Sequence, residues 1–295
     1  MPYSRNERID RVCRGTACRA PTKSLLVGIA VLLLLAGCAR APIAPSVPPK
    51  PTAITAEELV TKLREREAAV RTLKALFAVE ASGGPLKATQ RMEAALVYQR
   101  PGTLRLQGFA RLGFQLFDLT LADGQYHLVF PMQGKSQKGS VSELDHKPGI
   151  GAPIILGLQA TLGSLDIAIL PTDRVALREE NGQYVLDTTS LQNGATVARR
   201  LWFEQTTLEI VRQDIFDANG IPQATMVYQN YRAVGRTSAG PLTWPSRVQA
   251  EAGLGQAKMV LTFREVIPNP ELTAEDWRPV GSEPMGERLG PKGEN

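Results

Sequence analysis

Short segments of alternating apolar and polar residues, separated by turn-forming dipeptides, recur along most of this chain. Such alternation is typical of half-buried β-strands, and Pro-Gly, Asp-Gly and Asn-Gly pairs are typical of the turns between them. A first set of segments covers residues 73–79, 92–98, 104–110, 114–121 and 125–130. A second set covers residues 175–177, 184–187, 197–205, 208–216, 223–232, 242–250 and 258–266, with Asn-Gly pairs at 181–182, 193–194 and 219–220. The pattern predicts one large antiparallel sheet of about eleven strands.

Two helices are predicted beside these strands. Thr55-Ala56-Glu57-Glu58 fits a capping box, and Leu59 and Leu63 follow at helical spacing. Residues 152–162 are apolar nearly all round and carry Pro153 in the first turn, which predicts a short buried helix. The predicted fold class is therefore mainly β with helices (α+β).

A sheet of this size must bury one face, yet the sequence offers few helices to cover it. Two arrangements satisfy this requirement. The strands can divide into two sheets packed as a sandwich, or one curved sheet can form an incomplete antiparallel barrel with a helical lid over an apolar cavity.

The N-terminal region contains the segment Leu34-Leu35-Ala36-Gly37-Cys38, which resembles the lipobox of bacterial lipoproteins. The apolar stretch 25–36 follows Arg19 and Lys23 and is shorter than the roughly 20 residues needed for a membrane span. The resemblance implies that residues 1–37 are a lipoprotein signal peptide and that Cys38 is lipidated after cleavage. The alternatives are an ordinary cleaved signal or a lone thiol.

Four regions are expected along the chain. The signal peptide, 1–37, precedes a lipidated cysteine with a proline-rich tether at 38–54. This tether is too rich in proline for helix or sheet and is expected to be extended and semi-rigid. The folded domain is expected at 55–281, followed by a flexible tail at 282–295.

Removal of the signal peptide changes the charge of the chain. Six of the 34 basic and two of the 29 acidic residues lie within residues 1–37, so the mature formal charge is only +1. No basic stripe interleaved with aromatic residues remains, which argues against a nucleic-acid partner. Cys13 and Cys18 are also removed, which excludes a disulfide framework and a thiolate metal site.

The order of elements resembles the LolA/LolB superfamily of periplasmic lipoprotein carriers and outer-membrane acceptors. The shared features are a capped N-terminal helix, a meander interrupted at Arg111-Leu112-Gly113, a mid-chain helix, and a C-terminal part with Pro245 and Trp277. The resemblance covers about residues 55–280. It implies an incomplete barrel whose cavity takes up acyl chains of lipoproteins or lipids.

The resemblance also implies a location and partners. The acceptor branch is itself lipidated, as Cys38 suggests here, and Ala39 after the cysteine implies the outer membrane instead of inner-membrane retention. The expected partners are bacterial lipoproteins or lipid acyl chains, and the membrane through the N-terminal anchor. A periplasmic LolA-like carrier is a further candidate partner, and no cofactor is expected.

A turn between two early strands is the expected membrane-insertion loop. In the acceptor branch a leucine protrudes there in a Pro-Leu-Gly context. Here Leu112 occupies that position, with Arg111 in place of proline and Phe114 as an additional apolar neighbour. The alternative is that Leu112 folds back onto the sheet edge.

Period-two alternation also indicates which side chains face a cavity. Seven strand residues and two residues of the mid-chain helix are candidates: Phe77, Val79, Leu104, Leu106, Phe117, Leu119, Leu121, Leu156 and Leu158. The alternative for each of them is that it fills a dry, packed core.

Signals for catalysis are weak. His127 and His146 have no metal-ligand spacing, and residues 134–136 (Gly-Lys-Ser) have valine where a phosphate-binding loop needs its first glycine. The chain is therefore predicted not to be an enzyme. Three hypotheses remain, in order of preference: a lipid or lipoprotein acceptor, an envelope assembly lipoprotein acting as a protein-interaction platform, and an envelope hydrolase that depends on His127 or His146.

Overall fold

Thirteen antiparallel strands form one continuous sheet in the order β6-β5-β4-β3-β2-β1-β13-β12-β11-β10-β9-β8-β7. The computed structural model describes residues 54–83, 86–144, 151–165, 167, 169–192, 195–253 and 256–278. Cys38, the predicted signal peptide, the predicted tether up to residue 53, His146 and the predicted C-terminal tail lie outside the described residues.

The strands of the N-terminal half are β1 (Thr72–Gly83), β2 (Leu86–Gln99), β3 (Thr103–Phe109), β4 (Gln115–Ala122), β5 (Gln125–Phe130) and β6 (Lys135–Ser140). Those of the C-terminal half are β7 (Arg174–Glu180), β8 (Gln183–Gln192), β9 (Ala195–Glu204), β10 (Ile210–Phe216), β11 (Pro222–Thr237), β12 (Gly240–Ala252) and β13 (Ala257–Pro268). The helices are α1 (Ala56–Ala68), α2 (Val141–Leu144), α3 (Gly151–Leu162) and α4 (Ala274–Trp277), and a 3₁₀ turn covers Pro131–Gln133.

Two meanders are joined at the centre of the sheet. Strands β1 to β6 each pair with their neighbours in sequence, as do β7 to β13, and the pairing of β1 with β13 connects the two halves. The antiparallel prediction is therefore confirmed, and the division into two packed sheets does not occur in the described strands. Strands β6 and β7 form the two edges and do not pair with each other, so the sheet is not closed into a barrel.

The predicted number of about eleven strands was too low. Strand β6, Lys-Ser-Gln-Lys-Gly-Ser, was missed because it has no apolar residue from which an alternating pattern could be recognised. It pairs with β5 and lies at an edge, and all six of its residues are exposed or half-buried. Lysine on an edge strand discourages pairing with further chains, which accounts for this polar composition.

Burial along the central strands follows the predicted period of two. In β1, Leu73, Ala75, Phe77 and Val79 are buried, whereas Glu80 on the other face is exposed. Alternating side chains of a strand point to opposite faces of the sheet, so one face of β1 contributes to a continuous apolar core.

Helix α1 begins at the predicted capping box. The backbone N–H of Thr55 donates to Glu58 Oε2 at 2.9 Å, and the N–H of Glu58 donates to Thr55 Oγ1 at 3.2 Å. The bond that the Glu58 carboxyl accepts from the Thr55 N–H, with a smaller contribution from the Thr55 side chain, holds the pKa of this carboxyl below its usual value. The helix buries Leu59, Val60 and Leu63 against the core.

Helix α3 contacts strands β12 and β13 and the short helix α2. Its apolar composition agrees with a position against the sheet, as predicted for residues 152–162. Among the described residues, no helix combines the length and apolarity that crossing a membrane requires.

Candidate functional site

An apolar cavity of about 320 Å³ lies between the sheet and helix α3. Strands β1 and β2 contribute Phe77, Val79, Ala81, Leu86, Met92 and Ala94. The rest of the apolar lining comes from β3, β4 and β5 (Leu106, Phe117, Leu128, Phe130), from β13 (Met259, Leu261) and from α3 (Pro153, Ile154, Gly157). A volume of this size lies within the range of about 300–1,000 Å³ that is typical of small-molecule sites.

The cavity offers few polar groups to a ligand. Only Gln90 and Thr161 among its lining residues have polar side chains. The hydroxyl of Thr161 donates to the carbonyl of Gly157 at 2.6 Å, so its proton is used within the helix. A ligand in this cavity is therefore held by apolar contact and by shape.

The inner wall and the mouth of the cavity differ in exposure. Phe77, Leu128 and Leu261 are at most 2% exposed and form its inner wall. Gln90 is exposed and Leu86 and Met92 are half-buried, so the cavity reaches solvent beside the first residues of β2. An apolar chain could thus enter from one side while the other side remains closed by the core.

Four of the nine residues predicted to face a cavity line it, namely Phe77, Val79, Leu106 and Phe117. The other five pack in or against the apolar core away from the cavity: Leu104, Leu119, Leu121, Leu156 and Leu158. The helix lines the cavity with a different face, on which Pro153, Ile154, Gly157 and Thr161 recur at helical spacing.

Gly108 on β3 helps to shape the cavity wall, and the predictions missed it. It pairs with Phe117 on β4, and a Cβ atom at position 108 would lie 2.3 Å from the nearest atom of the Phe117 ring. The ring can therefore lie across the backbone of β3 only because residue 108 has no side chain. A glycine within a strand pattern signals such a close approach, although the sequence does not reveal the partner.

The hairpin between β3 and β4 carries the two residues expected in a membrane-insertion loop. The N–H of Ala110 donates to the carbonyl of Phe114, and the N–H of Gly113 donates to the carbonyl of Ala110, both at 2.8 Å. Leu112 is 84% exposed and Phe114 is 57% exposed. Both side chains thus project from the turn, and Leu112 does not fold back onto the sheet.

No polar cluster suited to a metal ion occurs among the residues that the structure describes. His127 lies within β5, opposite Thr120 of β4 and Lys138 of β6. A buried ion pair, Arg105 with Asp118, lies on the face of the sheet opposite the cavity. These groups are therefore separated from the cavity by the sheet itself.

Comparison with known proteins identifies the fold through solved structures. No protein-family model matches the chain. No curated protein sequence matches it either.

Three crystal structures have similar architecture. A LolA superfamily protein from Nitrosomonas europaea has a TM-score of 0.53 and 13% identity, with coverage of 77% of this chain and 99% of that one. A domain from Vibrio parahaemolyticus, named for outer membrane lipoprotein sorting, has a TM-score of 0.52 and 12% identity, with coverage of 75% and 94%. A DUF1329 family protein from Desulfovibrio piger has a TM-score of 0.52 and 11% identity, with coverage of 73% and 92%.

Proposed function

Because the chain has a LolA/LolB-like fold, we propose that it binds acyl chains of lipoproteins or lipids in the cavity beneath α3. In this proposal the protein is anchored in the outer membrane and helps to localise lipoproteins there. The observation that carries the proposal is the apolar cavity of about 320 Å³ with an open mouth.

The chemistry of the cavity fits an acyl chain better than a polar ligand. Each methylene moved from water into apolar surroundings contributes about 0.8 kcal/mol. Burial of about eight methylenes would therefore contribute roughly 6 kcal/mol before the entropy lost on association is subtracted. Met92 and Met259 in the wall are unbranched and flexible, so they can adapt to chains of different length.

Helix α3 serves as a lid in this mechanism. It presents Ile154 and Gly157 to the cavity. Movement of α3 relative to β12 and β13 would widen the cavity without breaking any pairing of the sheet. Binding of a chain would then replace contacts between α3 and the cavity wall by contacts with the ligand.

The anchor completes the proposal. Acylation of Cys38 after removal of residues 1–37 would attach the protein to the membrane through more than one lipid chain, which is sufficient for stable anchoring. The tether that follows, residues 39–54, would reach at most about 50 Å in the polyproline conformation. The cavity would remain close to the membrane that receives its cargo, where a LolA-like carrier could deliver a client.

Uptake of acyl chains can be tested with a pair of neighbouring alanines. Ala94 lines the cavity, whereas Ala95 lies on the opposite face of β2. We expect Ala94→Leu to reduce binding of a fluorescent fatty acid at least tenfold and Ala95→Leu to leave it unchanged. Native mass spectrometry of the protein without residues 1–38 should show bound lipid in the unmodified sequence.

Two results would contradict acyl-chain binding in the cavity. Absence of lipid from the unmodified protein, or an equal loss of binding in both variants, would refute acyl binding in this cavity. Envelope partners that remain bound to such a lipid-free protein would instead favour the interaction-platform hypothesis. The anchor is tested separately, because Cys38→Ser should abolish incorporation of a labelled palmitate analogue.

A further inference from the structure

Exposed apolar side chains concentrate at one end of the sheet. Within the described residues, eight large apolar side chains are markedly exposed, and five of them lie in or beside hairpin turns: Leu112, Phe114, Met132, Leu191 and Ile221. Alternate turns of an antiparallel meander lie at the same end of the sheet, and these turns follow β3, β5, β8 and β10. Five of the eight exposed apolar side chains therefore lie at one end of the sheet, whereas Leu76, Leu170 and Ile267 lie elsewhere.

Two of these turns are direct neighbours. Asp118 of β4 pairs with Val129 of β5, so continuation of this register brings Gln115 and Met132 to the same level. The 3₁₀ turn that contains Met132 also contacts β4. Since paired strands are about 4.8 Å apart, Met132 lies close to the Leu112 turn.

Both turns carry positive charge and no negative charge. Arg111 precedes Leu112, and Lys135 follows the turn of Met132, and both side chains are exposed. Neither residues 110–114 nor residues 131–135 contain an acidic side chain. The turn that carries Ile221, by contrast, contains Asp217. Apolar tips bordered by basic residues match a surface of anionic headgroups above an acyl interior.

We propose that the β3–β4 and β5–β6 turns together form a docking surface for an anionic bilayer. Leu112, Phe114 and Met132 enter the boundary between headgroups and acyl chains, while Arg111 and Lys135 contact lipid phosphates. This inference rests on the proposed lipid-handling function and on the insertion loop that the family resemblance implies at Leu112 and Phe114. What it adds is a second tip, Met132, and a preference for anionic lipid through Arg111 and Lys135.

The docking surface is adjacent to the cavity. Phe117, three residues after Phe114, and Phe130, two residues before Met132, both line the cavity. The cavity also opens beside Leu86. Leu86 pairs with Gly83 at the turn between β1 and β2, which lies at the same end of the sheet. Docking through the two tips would therefore place the cavity mouth next to the bilayer, and a chain could pass between them with little exposure to water.

The test uses the full chain with vesicles and measures, by tryptophan fluorescence, whether single positions contact the lipid. Phe114→Trp introduces an indole at the tip, and Leu76→Trp introduces one at a 48% exposed residue on the sheet face opposite the cavity. The vesicles contain phosphatidylcholine and brominated phosphatidylglycerol, and the signal of the native tryptophans is subtracted. We expect the bromine to quench Trp at position 114 and not at position 76.

The contributions of Met132 and of the charges are tested in the Phe114→Trp background. Removal of two basic residues near an anionic surface should lower the ratio of docked to undocked protein roughly 30-fold in Arg111→Gln/Lys135→Gln. Met132→Ser should reduce quenching at position 114, whereas Leu76→Ser should not. Vesicles with brominated phosphatidylcholine and no anionic lipid should give weaker quenching than the anionic ones.

The outcomes that overturn the docking surface differ from the outcome that refutes the proposed function. An unquenched tip, or quenching that is insensitive to Met132→Ser and to lipid charge, overturns the docking surface. Burial of the tips by self-association without vesicles also overturns it, because the tips would then bind a second copy. Binding of a fluorescent fatty acid in the same samples reports on the cavity alone. If the fatty acid does not bind while the tip is still quenched, only the proposed function is refuted.

Discussion

Arg105 on β3 and Asp118 on β4 form a buried ion pair on the sheet face opposite the cavity. Arg105 Nη2 lies 2.6 Å from Asp118 Oδ2, and Nε lies 3.0 Å from Oδ1, with both side chains 5% exposed. Arg105 Nη1 also donates to the carbonyl of Asp276 at 3.1 Å. This pair therefore connects the two strands that carry the Leu112 turn to the C-terminal helix α4.

Removal of one member of this pair should destabilise the fold without altering the cavity. We expect Arg105→Met to lower the free energy of unfolding by about 3–5 kcal/mol, because Asp118 is left buried without a counter-charge. The double variant Arg105→Met/Asp118→Leu should recover most of this loss. Urea denaturation measures both, and fatty-acid binding by the folded fraction should be unchanged. A double variant as unstable as the single one would contradict this explanation.

The close approach of Phe117 to Gly108 gives a second prediction, with a matched substitution. Gly108→Ala should displace the Phe117 ring, lower stability by about 1–3 kcal/mol and weaken acyl-chain binding. Gly157→Ala adds the same methyl group to the cavity wall, but its Cβ would lie 3.5 Å from the sulfur of Met259, an ordinary contact. This variant should gain up to about 1 kcal/mol because alanine favours the helix interior. Equal effects of the two substitutions on thermal unfolding and binding would refute the steric role of Gly108.

The fold was largely predictable because the sheet faces impose a period of two on their residues. Twelve strands could be recognised from that pattern, whereas β6 could not, since Lys135 and its neighbours have no apolar side to reveal. The number of strands and the open edges depend on pairing partners, which alternation does not specify.

The candidate site was predictable only in part. Phe77 and Phe117 could be assigned to the correct face from alternation, but core and cavity residues share that face. Helix α3 is apolar on every side, so its sequence did not indicate that Ile154 faces the cavity while Leu156 is buried elsewhere. Gly108 required the register of β3 against β4, which is a property of the folded sheet.

The attachment of α4 to the sheet should depend on pH. The Nζ atom of Lys74 lies 2.6 Å from Asp276 Oδ1, and this contact, with the N–H of Thr273, holds the pKa of Asp276 below its usual value of 3.8. A lowered pKa in the folded state means that the ionised carboxylate stabilises the fold above about pH 4. This contribution should disappear as the pH falls through the pKa of the folded state. The difference in urea midpoint between the unmodified protein and Asp276→Asn should therefore shrink between pH 6 and pH 3, and a constant difference would contradict the assignment.

Because Leu112 is exposed, its substitution should impair delivery of cargo without changing stability or acyl-chain binding. Leu112→Glu should abolish transfer of a lipoprotein from the protein to vesicles, because a carboxylate at the tip opposes entry into the bilayer boundary. The side chain is 84% exposed, so the free energy of unfolding should change by no more than about 0.5 kcal/mol. Ile267→Glu is the control, since Ile267 is an exposed apolar residue of β13 at 42% and lies away from the hairpin turns. Acyl-chain binding should persist in both variants, and transfer should be lost only in the first. Transfer that survives Leu112→Glu would show that cargo leaves the cavity without insertion of this tip.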